Sequence, residues 1–301
     1  MSARTDLFPG FRSARIEGDG ATINCRIGGS GPPLLLLHGF PQTHAMWHRF
    51  APDLAAHFSV VLADLRGYGA SSMPPDDDAH AAYSKRTMAR DMIAVMGNLG
   101  HRKFSVVGHD RGARVAYRMA LDTPEYVSRL ARLDILPTAG YWDRMDRSFG
   151  LNIYHWLFLA QPAPLPERLI EHAGEFFCDW TLASWTKSHD LSSFDPAALK
   201  AYRAMFREPA RISAMCADYR AGATFDNDAD NADRTAGKMI EPPLLALWGT
   251  AGLAASAATP LDTWKKWAKD VRGTGIDSGH FIPEENPREA LAALLPFLLG
   301  R

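Results

Sequence analysis

Between residues 11 and 28 apolar and polar side chains alternate around a Gly-Asp-Gly turn (EGDGATINCRI), a period of two that predicts an antiparallel hairpin with Gly18 and Gly20 in its turn. Beyond it the alternation gives way to short apolar runs: LLLL at 34–37, VVLAD at 60–64, FSVVG at 104–108, LARLDIL at 130–136 and LLALWG at 244–249. Each is bounded by Gly, Pro or Asp, and such runs suit strands buried on both faces, as in a parallel sheet. Helical spacing appears between them, for example in KRTMARDMIAVMGNLG at 85–100, which stops at Gly100. Strand and helix alternate, so the expected class is α/β with a mostly parallel sheet.

The alternation pauses from about 139 to 240, where the chain turns rich in Trp, Tyr, His and Pro and contains helix-like segments such as PAALKAYRAMF at 196–206. This stretch reads as a helical lid inserted between two strands, giving a core of residues 1–138 and 241–301 and a cap of 139–240. A chain of 301 residues with 47% hydrophobic and 22% charged side chains fits one globular core with an insertion. Its 33 basic and 34 acidic side chains leave a net charge of -1, so no overall field gathers nucleic acid, and any preference for anions must be local. The longest apolar stretch, LAALLPFLL at 291–299, is too short to cross a membrane, and the first residues lack the apolar core of a signal peptide. Cys25, Cys178 and Cys216 are scattered without metal-ligand or disulfide-framework spacing, so a cytoplasmic address is expected. The run PPDDDAH at 74–80 reads as an exposed acidic loop.

The sharpest chemical signal is FSVVGHDRGARVAYRMAL: a buried strand, then Gly108-His109-Asp110-Arg111-Gly112, then a helix. This is the strand–elbow–helix setting of G-x-S-x-G with Asp in the serine slot, and here the chain resembles the α/β-hydrolase superfamily over nearly its whole length. A plain N-cap role for Asp110 is the competing reading. Serine at an elbow attacks esters, whereas a carboxylate attacking an ester would give a high-energy anhydride. A carboxylate suits displacement at an sp³ carbon or an epoxide, leaving an alkyl ester that water can cleave.

Near the C-terminus, GIDSGHFIPEENP matches the catalytic-histidine loop of the superfamily and marks His280 as the base that activates this water. Many members carry the orienting acid after the penultimate strand, but 244–261 (LLALWGTAGLAASAATPL) contains no Asp or Glu. Asp134, in LARLDILP, stands at the alternative position known in the superfamily and is hard to place otherwise among apolar neighbours, although a capping role is open to it. HGFPQ at 38–42 matches the superfamily's oxyanion loop, which implies a hole built from the backbone N–H groups of Phe40 and Arg111 and a structural role for His38.

Haloalkane dehalogenases and epoxide hydrolases usually carry Trp after the nucleophile; this chain has Asp110-Arg111-Gly112-Ala113-Arg114. Arg111 and Arg114 are three apart on the emerging helix, so unless they are ordinary surface arginines they can share a face and grip a substrate carboxylate. HDRGARV, YHW and CADYRAG together resemble the fluoroacetate dehalogenase family. That resemblance implies a hydrolase that converts small 2-haloacids such as fluoroacetate to the hydroxyacid and halide, with Asp110, His280 and Asp134 as its triad. It also implies a halide pocket of His155, Trp156 and Tyr219, residues that would otherwise read as core packing, with Trp185 and Tyr141 as further lid lining. It implies a homodimer and calls for neither metal nor organic cofactor. An epoxide hydrolase using Asp110 with Tyr141, Tyr154 or Tyr219 as acids, and a non-catalytic receptor for small acids, are the rival expectations.

Overall fold

The computed structural model describes residues 6–252 and 260–301. Residues 253–259 of the acid-free stretch 244–261, and the first five residues, therefore lie outside the described residues. Eight strands form one sheet: β1 (Arg12–Glu17), β2 (Thr22–Gly28), β3 (Pro33–Leu37), β4 (Ser59–Ala63), β5 (Phe104–His109), β6 (Val127–Leu133), β7 (Leu244–Gly249) and β8 (Val271–Ile276). Their spatial order is β1-β2-β4-β3-β5-β6-β7-β8, with β1 and β2 antiparallel and all pairs from β4 to β8 parallel. The expected hairpin is β1–β2, and Gly20 supplies the positive φ (85°) of its turn. Each apolar run forms a strand because helices cover both faces: Leu34–Leu37, Val60–Ala63 and Val106–Val107 are fully buried.

One boundary differs from the sequence reading. β6 begins at Val127 and ends at Leu133, so Asp134 stands just past the strand, at φ 49°, rather than within it. The C-terminal helix runs Pro287–Leu298 behind a short turn, Ile282–Glu285, because the Pro at each start fixes a first-turn φ and lacks the N–H that a helix interior requires. The 74–80 run is exposed as expected over residues 75–79, and Asp77 accepts the N–H groups of Ala79, Ala81 and Ala82.

Between β6 and β7 the chain leaves the sheet as a helical insertion whose longer helices are Leu165–Trp185, Pro196–Met205, Pro209–Ala223 and Phe225–Thr235. Buried ion pairs fasten its last helix to the core helix Asp110–Asp122: Arg118 meets Asp230 at 2.6 Å and also pairs with Asp233, while Tyr117 donates to Asp230 at 2.8 Å. The register pairs Leu37 with Gly108, His109 with Leu133, Leu133 with Leu247 and Gly249 with Ile276. The carboxyl ends of β3, β5, β6, β7 and β8 are thus brought level, and the segments that follow them share the crevice where open parallel sheets bind ligands.

Candidate active site

Asp110 opens the helix Asp110–Asp122 directly after β5 with φ 45°, a strained conformation for a residue with a side chain. Its flanking glycines permit the turn by close approach: a Cβ on Gly112 would lie 2.4 Å from the Leu37 and His38 carbonyl oxygens, and one on Gly108 2.5 Å from the Ala113 Cα. Asp110 Oδ1 accepts the Phe40 N–H at 2.8 Å, so the loop after β3 already holds one carboxylate oxygen. Burial favours the neutral acid, but His280, Arg111, His109 and Arg114 outweigh it and hold the Asp110 pKa below the ordinary carboxylate value.

His280 Nδ1 lies 2.6 Å from Asp134 Oδ2, and Asp134 Oδ1 accepts the Gly249 N–H at 3.0 Å. This bond fixes the tautomer that leaves Nε2 for chemistry, and that buried nitrogen has no partner. Burial opposes the imidazolium, yet the bond to Asp134 and the charges of Asp134, Asp110 and Glu285 raise the His280 pKa. His109 Nε2 reaches the His280 carbonyl at 2.8 Å, and burial depresses the His109 pKa to about 3, so the ring stays neutral and donates. His38 is structural as expected: Nε2 accepts the Leu65 N–H at 3.0 Å while Nδ1 faces the Gly39 carbonyl at 2.9 Å.

Both arginines are buried, which removes the surface reading. Arg111 donates through Nε and Nη2 to both oxygens of Asp218, at 2.9 and 2.8 Å, and its Nη1 is unpaired. Arg114 donates through Nη1 to the Leu136 carbonyl and the Thr138 hydroxyl, both at 3.1 Å, and its Nε is unpaired. The guanidinium carbons stand 5.5 and 4.5 Å from the Trp156 ring centre; Arg111 also faces Tyr219 at 4.2 Å and Arg114 faces Tyr141 at 4.6 Å.

The insertion completes the enclosure. His155 lies 5.7 Å from Tyr219 and 4.3 Å from Trp185, which stands 5.4 Å from His280; Phe40 lies 5.2 Å from Tyr219 and 6.4 Å from His155. The His155 Nδ1 and the Tyr219 hydroxyl are buried and unpaired. Burial drives the His155 pKa to about 3 and lifts that of Tyr219 well above the phenol value, so both groups are neutral and the phenol keeps its O–H. Trp185 also borders a surface cleft of about 520 Å³ with Tyr154, Trp180, His189 and Gly252. Among the described residues no three His, Cys, Asp or Glu side chains are grouped as a metal ion requires.

The candidates named from the sequence are therefore joined by hydrogen bonds and ring contacts into one buried cluster. Several supporting residues were not named: Asp218, Lys85 and Tyr68, of which Lys85 and Tyr68 both bond Asp218. Asp218 precedes Tyr219 in CADYRAG, and an acid in that apolar helix is the available sign that a buried cation faces it.

The topology, the elbow geometry and the contact between the segments after β5, β6 and β8 define an α/β hydrolase, and the chain belongs to that fold family, which matches residues 32–287. Among curated relatives it is 43% identical over 292 residues to the fluoroacetate dehalogenase of a Burkholderia sp, covering 97% of this chain and 95% of that protein. It is also 31% identical to the soluble epoxide hydrolase of Corynebacterium sp. strain C12, covering 89% and 91%. A solved Pseudomonas aeruginosa structure, provisionally named an epoxide hydrolase, superposes with TM-score 0.93 at 47% identity, covering 98% of this chain and 97% of that one.

Proposed function

We propose that the protein hydrolyses the carbon–halogen bond of small 2-haloacids, with fluoroacetate as the preferred substrate. The observation that carries this reading is a set of buried, unpaired polar atoms on side chains linked around Asp110: Arg111 Nη1, Arg114 Nε, His155 Nδ1, the Tyr219 hydroxyl and His280 Nε2. Buried polar groups are normally satisfied, so a cluster of unsatisfied ones fits a polar, anionic ligand. Arg111 and Arg114 take the substrate carboxylate, whose charge would otherwise repel the nucleophile.

With Oδ1 held by Phe40, Asp110 Oδ2 attacks the halogen-bearing carbon. The carbon–halogen bond breaks and the halide leaves with its electron pair toward His155, Trp156 and Tyr219. Fluoride exchanges strong hydration for these fixed donors, which is the demand a defluorinating site must meet. The resulting ester removes the negative charge of Asp110, one of the influences that raise the His280 pKa, which shifts His280 toward its neutral form when a base is needed. His280, oriented by Asp134, deprotonates water that attacks the ester carbonyl carbon. The oxyanion lies against the Phe40 and Arg111 backbone N–H groups, then collapses to expel the hydroxyacid, which takes the proton back from His280.

The helical insertion serves as the lid, with Trp185 and Tyr141 lining it. A cytoplasmic address suits three buried cysteines without disulfide partners. Homodimerisation is assigned to an exposed stripe on the lid helix Leu165–Trp185 containing Leu165, Leu169, Phe176 and Trp180.

The test is fluoride release from fluoroacetate by the purified protein, with Asp110→Asn and Arg111→Ala as controls and an epoxide in parallel. Release by wild type alone, with Asp110→Asn lower by at least about 10⁴-fold, is expected. Turnover of a neutral epoxide without haloacid turnover would give the activity to the epoxide hydrolases instead.

A further inference from the structure

The segment that follows His280 carries two adjacent carboxyl groups, Glu284 and Glu285, which the chemistry above does not use. Glu285 accepts the backbone N–H groups of Gly279 and Phe281, the residues on either side of His280, each at 2.9 Å. The same carboxylate accepts the N–H of Lys187 from the lid at 2.8 Å, and the His280 N–H donates to the Trp185 carbonyl at 2.8 Å. Lid and histidine loop are in direct backbone contact here: a Cβ on Gly279 would lie 2.5 Å from both the Lys187 nitrogen and the Trp185 oxygen.

Glu284 is fully buried and reaches the other catalytic loop. Gln42 donates its amide to Glu284 Oε2 at 2.5 Å, and Gln42 closes the loop that carries Phe40 through its own N–H to the Gly39 carbonyl at 2.9 Å. Tyr202, on the lid helix Pro196–Met205, donates to Glu284 Oε1 at 3.0 Å. Arg49 bonds the Glu284 backbone carbonyl at 2.5 Å rather than its carboxyl.

We infer that Glu284 and Glu285 are positioning residues that couple the lid to the base and to the oxyanion donor, so that the docked lid sets both His280 and Phe40 in place. One carboxyl ties His280's loop to the lid at Lys187, and the other ties Phe40's loop to the lid at Tyr202. Neither touches the reacting atoms. The two differ in how they hold. Glu285 gathers three N–H donors on its two oxygens. Glu284 sits where burial, only partly offset by Tyr202, Arg49 and Gln42 and reinforced by Glu285, raises its pKa to about 8. That favours its protonated form near pH 7, and a glutamine there keeps the shape and, with the Gln42 amide turned so that its unpartnered Oε1 accepts, the same number of hydrogen bonds.

This inference rests on the ester mechanism proposed above, and its test separates the two. His280 and the oxyanion donors serve ester hydrolysis more than halide displacement, so loosening their loops should slow the second step selectively. Single turnovers of fluoroacetate are followed by rapid quench and mass measurement of the intact chain, for wild type, His280→Asn, Glu284→Ala, Glu284→Gln, Glu285→Ala and Glu285→Gln. The His280→Asn protein must accumulate the alkyl ester on Asp110; if it does not, the mechanism fails and not the coupling.

Given that control, Glu285→Ala and Glu284→Ala should slow ester hydrolysis about 10- to 100-fold while halide release in the first turnover stays within about threefold of wild type. Glu284→Gln should restore hydrolysis near pH 7, and Glu285→Gln should recover it in part because only one of its two oxygens still accepts. The inference is overturned if the alanine variants show unchanged hydrolysis, or if both steps fall together in proportion to a lower fraction of active protein. Should either alanine variant not fold, the glutamine pair decides: equal and full activity of both across pH 6–9 overturns it.

Discussion

Arg111 gives two of its donors to Asp218, whereas Arg114 meets only neutral oxygens among the described residues. Asp218 is itself held by the buried Lys85 and by the Tyr68 hydroxyl at 2.7 Å. Burial disfavours its charge, but Arg111 and Lys85 more than compensate, and its pKa falls far below the carboxylate range. Arg111 is thus a rigidly aimed donor balanced by its own carboxylate, whereas Arg114 has no ion pair of its own among the described residues and acts on Asp110 through its charge. Asp218→Asn should let the Arg111 guanidinium turn, lowering kcat/KM for a haloacetate about 10- to 100-fold, chiefly through KM. Steady-state kinetics beside a thermal melt checks this, since a loss confined to stability would leave KM unchanged. The arginine pair was legible in the sequence because it adjoins the elbow. Asp218 was not, because 107 residues separate it from Arg111 and only packing brings them together.

The helix Leu165–Trp185 bends at Ala173, where φ is -139°, and beside the bend a Cβ on Gly174 would lie 2.4 Å from the Phe206 carbonyl oxygen. Beyond the bend Phe176 and Trp180 are 68% and 56% exposed with ring centres 6.0 Å apart, and Leu169 before it is 54% exposed. Water contact over so much adjoining apolar surface is unfavourable at roughly 25 cal/mol per Å², which argues for a covering partner. A Phe176→Glu, Trp180→Lys double variant should convert a dimer to a monomer in light scattering at micromolar concentration while each chain stays folded. A wild type that is monomeric under the same conditions would remove the dimer assignment. At this scale the sequence showed helices in 139–240, but their exposed faces depend on how each helix packs, which no local period specifies.

Across the molecule, three parts of the chain far apart in sequence converge on Glu284: the loop after β3, the loop after β8 and the lid. Because the folded state holds this proton more tightly than the unfolded chain, whose glutamate titrates near 4.5, its contribution to stability is complete below that value. It is lost progressively as pH rises toward about 8. Glu284→Gln should therefore flatten the fall in thermal midpoint between pH 5 and 8 and make the variant more stable than wild type above pH 8. Differential scanning calorimetry across that range checks it, and parallel curves for the two proteins would show that Glu284 is ionised throughout.

The sequence by itself determined what local period and local chemistry can encode: the hairpin, the buried strands, the strained elbow with its glycines, and the kinds of group available as nucleophile, base, acid and clamp. Asp110, Arg111 and Arg114 declared themselves because they lie within five residues of one another. His280, Asp134 and the residues proposed to receive the halide needed a resemblance, since nothing local ties them to the elbow. The tertiary structure alone decided which donors are left unpaired, which acid balances which arginine, and which carboxyls bind the lid to the catalytic loops. Those properties arise from desolvation and distance between segments that only the folded sheet and its insertion bring together.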